Sequence, residues 1–229
     1  MKFIDYSQVF DNKIKVFLTQ IHPYWDLGYP SDRSIKIKNY FDLKSNIVYS
    51  PIQIHSDKVK LLSVQSSLNP KCDAIIYKGA SAAVGSITVA DCIPVCLYDS
   101  KNDNIALVHS GWKGTVSKIV LKAIMQLERL GTEKNDLKIF MGPSIKGCCY
   151  EVSQNFIKQF NPSTILKRHG KYFVDLPNQV KFDLENLSIP KDNIFIDSMC
   201  TYDNKLCHSF RRDGQHSGRM SLIAYREIK

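Results

Sequence analysis

Residues 88–114 read TVADCIPVCLYDSKNDNIALVHSGWKG, and the fold turns on this stretch. Ile93–Tyr98 and Ile105–His109 are short apolar runs of the kind that form buried strands. The link between them, Asp99-Ser-Lys-Asn-Asp-Asn104, has the polar, turn-forming composition of a hairpin loop. Cys92 stands just before the first run and His109 ends the second. Antiparallel partners lie about 5 Å apart, so closing the hairpin brings this thiol beside this imidazole. Gly111-Trp-Lys-Gly114 follows, and then a helical pattern. A thiolate, an imidazole, a glycine-rich turn and a helix start therefore meet in one place.

Outward from this stretch the chain alternates irregularly between strand and helix patterns. Ile14–His22 reads as a strand, and Pro23–Gly28 as a loop with exposed aromatics. Ser31–Leu43 reads as a helix capped by Ser31 or Asp32, with Ile35, Ile37, Tyr40 and Phe41 facing inward. Ile47–His55 alternates like a strand carrying an edge or bulge proline, Pro51, and Lys58–Val64 looks like its continuation. Asp73–Tyr77 and Ser86–Ala90 are further strands. Thr115–Leu130 carries an apolar stripe from Val116 through Ile119, Val120, Ala123, Ile124 and Leu127 to Leu130, and Gly131 supplies the stop. Leu137–Met141 is a buried strand. Tyr150–Phe160 is amphipathic and reads as a helix, Lys171–Val174 as a strand, Leu176–Leu187 as a helix and Asn193–Ile196 as a strand. There is no repeat and no linker, so the expectation is one α+β domain over residues 1–229, an α/β sandwich built on a mixed sheet.

The 229 residues are 44% hydrophobic and 23% charged, which suits a globular protein. The formal charge of +9 points to an anionic partner. The lysines are scattered with no basic run interleaved with aromatics, so nucleic acid is not expected. No run approaches the ~20 apolar residues of a membrane span, and the start has no signal-peptide core. Seven cysteines without a disulfide-scaffold spacing suggest free thiols in a reducing cytoplasm.

Three groups of residues carry chemistry. His55, Cys92 and His109 each fall at or beside a strand end, and one thiolate with two imidazoles suits zinc with a fourth position open. Their spacing also allows a buried thiol and satisfied core histidines. Asp91 and Gln53 are the expected supports of such a site, and Cys96, on the same strand face but deeper, is expected in the core. Gly111, Lys113 and Gly114 before a helix form either an anion site or a tight strand-to-helix turn. Arg211 and Arg212, with Arg219, form either a phosphate clamp or a salt-bridged turn. The adjacent pair Cys148-Cys149 lacks a CxxC partner, so it is not read as a zinc knuckle and is assigned a structural role.

The blocks IQIHSDKV (52–59), CDAIIY (72–77), TVADCIPV (88–95), ALVHSGWKGTV (106–116), GPSIKGCCYEV (142–152) and SFRRDGQHSGRM (209–220) together resemble the YfiH or laccase-domain family. This family is also called multicopper polyphenol oxidoreductase or peptidoglycan editing factor. The resemblance runs from about Gln20 to the C-terminus. It implies a YfiH-like fold and a cytoplasmic purine nucleoside phosphorylase, acting on adenosine, inosine, guanosine or methylthioadenosine with inorganic phosphate and also deaminating adenosine. It places the zinc ligands at His55, Cys92 and His109. Ser56 stands where glycine usually follows the first histidine, Lys113 where arginine is common, and the block around Pro23–Gly28 is short. Two other functions are weighed: a laccase-like copper oxidase, for which six histidines are few, and a Cys92–His109 amide hydrolase acting on peptidoglycan precursors. A monomer or weak homodimer is expected.

Overall fold

The computed structural model describes residues 3–25, 30–43 and 46–227. Its frame is two sheets packed face to face. The first runs β1 (Phe3–Asp5), β2 (Lys15–Thr19), β14 (Met220–Tyr225), β6 (Ala83–Val89) and β3 (Ile47–Tyr49). The second runs β13 (Ile194–Ile196), β9 (Leu137–Met141), β7 (Ile93–Asp99), β8 (Asn104–Ser110), β5 (Ala74–Lys78) and β4 (Val59–Leu61). Each sheet mixes parallel and antiparallel pairs: β3 lies parallel to β6 and β4 parallel to β5, whereas β7, β8 and β5 are antiparallel. A small third sheet joins β10 (Glu151–Val152), β12 (Lys171–Val174) and β11 (Ile165–Arg168).

Strand alternation decides which residues fill which layer. Ile75, Tyr77, Cys96 and Leu107 of the second sheet meet Val16, Leu18, Ile87 and Leu222 of the first, and the Tyr77 hydroxyl crosses the interface to donate to the Ala224 carbonyl at 2.7 Å. Ala74, Ile76, Val95, Leu97 and Val108 face the other way, onto α3 (Ile119–Glu128) and α4 (Leu176–Asn186). Phe17, Val84, Ile223 and Tyr225 pack outward against Trp25, in a 3-10 turn, and against Ile37 of α1 (Pro30–Tyr40). The order of layers is therefore helix, sheet, sheet, helix, an α/β sandwich of mixed sheets. Central strands β7 and β8 are covered on both faces, which is why they read as unbroken apolar runs.

Several local expectations are corrected. The stretch 47–64 is not one interrupted strand. It leaves the first sheet after Tyr49, touches Lys71 only through an isolated bridge at Ile52, and enters the second sheet at β4. The helix expected at 115–130 is two: α2 (Trp112–Val116) and α3, separated by Lys118 at φ 59°. Lys118 there reaches both carboxylate oxygens of Asp183 on α4, at 2.6 and 2.7 Å, so the turn docks one helix on the next. Gly131 does end α3, at φ 88°, a conformation that glycine adopts without a Cβ clash. Tyr150–Phe160 is not helical: Glu151 and Val152 pair with β12, and only Phe156–Gln159 turns, as a 3-10 segment. Trp25 is buried rather than exposed, while Asp26–Gly28 lie outside the described residues. On α1, Ile37 faces inward as expected but Ile35 is exposed. No helix among the described residues is long and apolar enough to cross a membrane, and all seven cysteines are unbonded.

Candidate metal centre

The chain passes from the first sheet to the second twice, from β3 to β4 and from β6 to β7. These crossings, with the end of β8, build one cluster. In the β7–β8 register Pro94 faces His109 and Ile93 faces Ser110, which sets Cys92 opposite Gly111. The donor atoms of His55, Cys92 and His109 all lie within 4.8 Å of one another. Cys92 Sγ is 4.0 Å from His55 Nε2, and the two imidazole rings stand nearly perpendicular, with centroids 4.8 Å apart. Gly111 is where a side chain cannot be added: a Cβ there would sit 2.9 Å from Cys92 Sγ and 3.3 Å from His55 Cδ2.

The residue that organises the cluster is Asp73, which the sequence marked only as the start of a strand. It precedes β5, whose Ala74 pairs with Val108, so it falls opposite His109. Its buried carboxylate accepts from His109 Nδ1 at 2.9 Å and from the backbone N–H groups of His55 at 3.0 Å and Ser56 at 2.7 Å. It also accepts from the Ser56 hydroxyl at 2.7 Å. The proton held on Nδ1 leaves His109 Nε2 free to bind a metal, the usual arrangement of a carboxylate behind a histidine ligand. The same bonds hold His55 at φ 53°. Burial pushes the Asp73 carboxyl up, but His109 and Ser56 outweigh it and bring it to about 2. Burial likewise raises the Cys92 thiol, and the bonds and charges of His109 and His55 reverse this, to about 6. His109 is lowered by burial and raised further by Asp73 and Cys92, to about 9.

The expected supports do other work. Gln53 is spent on the backbone of Thr88, accepting from its N–H and donating to its carbonyl at 2.7 Å each. Asp91 accepts from the Thr201 hydroxyl and the Arg211 N–H, both at 2.6 Å. Cys96 is in the core as expected.

The cluster opens on a cavity of about 660 Å³ lined by Gln53, Trp112, Ile145, Tyr150 and Phe210, together with Arg33, Arg211 and Arg219. Arg211 reaches it with its guanidinium 4.9 Å from the Tyr150 ring centre while donating to the Glu151 carbonyl. Lys113 is not in the cavity wall; its ammonium lies 5.6 Å from the Trp112 ring centre on the exposed side of the five-residue α2. Gly114 is buried against Ile119. Arg212 is also elsewhere, its guanidinium committed to the carbonyls of Thr201, Tyr202 and Cys207 and to Asp213. Of the residues expected to hold phosphate, the structure thus brings Gly111, Arg211 and Arg219 to the site and leaves Lys113, Gly114 and Arg212 outside it.

Arg33, which the sequence did not single out, is in the cavity wall and only 6% exposed. Its Nε and Nη1 have no hydrogen-bond partner among the described residues, and burial lowers it to about 10. Its helix is polar overall, and one inward arginine leaves no periodic signal.

Residues 33–227 match the profile of the family described as multi-copper polyphenol oxidoreductase laccase. The chain belongs to this family. The laccase-domain resemblance carried by the ADC and HSGWKG blocks is therefore borne out. A purine nucleoside phosphorylase of Borreliella burgdorferi is 33% identical over 188 residues, covering 79% of this chain and 76% of that protein. A protein named adenosine deaminase RL5, from an unknown prokaryotic organism, is 29% identical over 195 residues, covering 77% and 74%. In fold, the crystal structure of the Bacillus licheniformis hypothetical protein YfiH superposes with a TM-score of 0.84 at 22% identity, covering 94% of each chain.

Proposed function

We propose that this laccase-domain protein is a zinc-dependent purine nucleoside phosphorylase that also deaminates adenosine, working on adenosine, inosine, guanosine or methylthioadenosine. The observation that carries the reading is the pairing, in one cavity, of a three-donor cluster with Arg33, a buried cation whose Nε and Nη1 have no hydrogen-bond partner among the described residues. An unpaired buried guanidinium is costly unless an anion reaches it, and a phosphate is an anion whose oxygens match its fork. The names of the relatives point the same way.

The residues fit zinc. His55, Cys92 and His109 offer one soft and two borderline donors, one imidazole is backed by a carboxylate, and the open side faces the cavity, as in catalytic zinc sites. Zinc bound there supplies a Lewis acid that lowers the pKa of water to near neutral, the requirement of hydrolytic deamination. The chain's own groups do the rest. Asp73 keeps the proton on His109 Nδ1 and aims Nε2. Arg33 and Arg211, with Arg219, hold phosphate, and Trp112, Tyr150 and Phe210 offer aromatic faces to the purine. In phosphorolysis a phosphate oxygen bonds to C1′ as the bond from C1′ to the base nitrogen breaks, and the leaving base takes up a proton. Positioning and electrostatics are then the main contributions of the protein.

One observation favours a second reading. A thiol lowered to about 6 beside an imidazole raised to about 9 is also the arrangement of a Cys–His nucleophile. A laccase reading has less support, because among the described residues only this cluster combines histidine with other metal-binding groups. The test is product analysis. Adenosine incubated with protein and phosphate should give adenine with ribose 1-phosphate, and inosine from the parallel deamination. Turnover of amide substrates with none of adenosine would overturn the proposal.

A further inference from the structure

A second group of metal-binding side chains lies outside the cavity. Cys148 and Cys149 occupy a tight turn in which the N–H groups of Cys149 and Tyr150 both donate to the Lys146 carbonyl. The turn points the two thiols the same way, 3.4 Å apart. Opposite them is the segment after β13, which joins the turn's approach through a bridge between Ser144 and Cys200. It presents Cys200 and Asp203. Cys149 Sγ lies 3.2 Å from both oxygens of Asp203, Cys148 Sγ lies 3.6 Å from one of them, and all four donor atoms, Cys200 included, fall within 4.8 Å of one another.

We infer that Cys148, Cys149, Cys200 and Asp203 form a second, structural zinc site. The dimensions agree with this. In a tetrahedral site with bonds of ~2.3 Å to sulfur and ~2.0 Å to oxygen, donors are separated by about 3.5–3.8 Å. Three sulfurs and one carboxylate also suit zinc over magnesium or calcium, which take oxygen ligands. Four donors from the protein close the shell, which marks a structural rather than a catalytic site. Without a cation, three thiols and a carboxylate share one small volume. The buried Lys146 ammonium, two residues before Cys148, has no hydrogen-bond partner among the described residues; its charge acts on Asp175 and Asp197 and then on Cys200 and Cys148. With zinc present the four ligands would carry an excess of negative charge, which Lys146 offsets.

The position gives the site a purpose. The turn is continuous with Ile145 and Tyr150, which line the cavity. The facing segment includes Thr201, whose hydroxyl holds Asp91, the residue before Cys92. Arg168 braces the turn from outside by donating to the carbonyls of Gly147 and Cys148. A metal here would staple the turn between Ile145 and Tyr150, which line the cavity, to a segment far away in sequence that holds Asp91 through Thr201.

The test is metal stoichiometry on the full chain, reduced, stripped with chelator, reloaded with zinc and freed of excess. Two zinc ions per chain are expected in the wild type and one in His55→Ala. One is also expected in the Cys148→Ser/Cys149→Ser double variant, whose positions are exposed or half-buried. Cobalt loaded into His55→Ala should show the intense thiolate-to-metal absorption of a sulfur-rich site. A second measurement needs no variant: zinc should shield Cys148 and Cys149 from alkylation, read by peptide mapping, and chelation should expose them. One zinc per chain in the wild type with none in His55→Ala would overturn the inference. So would alkylation of this pair at the same rate with and without zinc, or a disulfide among these cysteines after reducing purification.

Discussion

Asp73→Asn is the sharpest perturbation of the metal centre, because it alters one atom and keeps the volume. The amide has two orientations. If its NH2 takes the Oδ2 place, it faces the Ser56 N–H across 2.7 Å, donor against donor. If it takes the Oδ1 place, it faces the His55 N–H and His109 Nδ1. There His109 can recover a bond only by accepting at Nδ1, which moves its proton to Nε2, the atom needed for the metal. Either way at least one charge-assisted bond of ~1.5–3 kcal/mol is lost, and a second buried donor is left opposed at about 1–3 kcal/mol. The expected cost is about 3–5 kcal/mol of stability, together with a ~10–100-fold loss of zinc affinity, the usual effect of removing a carboxylate behind a histidine ligand. Urea unfolding gives the first quantity and chelator competition the second. Gln53→Leu is the comparison: its side chain bonds only Thr88, at the backbone and the hydroxyl, so it should lower stability while leaving zinc affinity within about threefold. A folded Asp73→Asn protein binding zinc as tightly as the wild type would refute the role assigned to this carboxylate.

Three further outcomes follow from the same structure. Arg33→Met should raise the apparent KM for phosphate by about tenfold or more while sparing deamination, which uses no phosphate, and should not lower stability, since it removes a buried charge whose Nε and Nη1 have no partner among the described residues. Lys113→Ala, outside the cavity, should leave that KM within about twofold; the reverse ranking would return the phosphate role to the lysine. Asp99, at the end of β7, is pushed up by burial but held below the usual carboxylate range by Thr132, Asn102 and Lys101. Its contribution is complete above the unfolded value of about 4 and is lost as pH falls through the folded one. Asp99→Asn should therefore be less stable at pH 7 and show a flatter decline toward pH 3 in urea midpoints; parallel curves for the two proteins would count against it.

The parts of the fold that were legible in the sequence are those fixed by local pattern. The β7–β8 hairpin declared itself by two apolar runs around a polar loop, and the apolar stripe of α3 by its period. The three candidate ligands could be grouped because the sequence pattern puts each at or beside a strand end, although His55 lies in the crossing between β3 and β4. What the sequence hid depends on long-range partners. Asp73 is a lone acid before a strand, and its bonding partners are 17 to 36 residues away. The break at Lys118 is set by an acid on another helix, Asp183, 65 residues later. Tyr150–Phe160 has helical amphipathicity, but β12 captures its first residues, a tertiary pairing that overrides local preference. The two-sheet arrangement was also hidden, since residues 47–64 read as one strand until the crossing between sheets separates them.

The central claim is that His55, Cys92 and His109 hold a zinc ion on which nucleoside chemistry depends. The most direct measurement follows adenosine turnover to adenine and to inosine in the presence of phosphate, before chelation, after verified removal of zinc, and after zinc is restored. The account predicts that deamination disappears with the metal and returns with it, and that Cys92→Ala shows neither the metal at this site nor the rescue. Full deamination by zinc-free protein would contradict it.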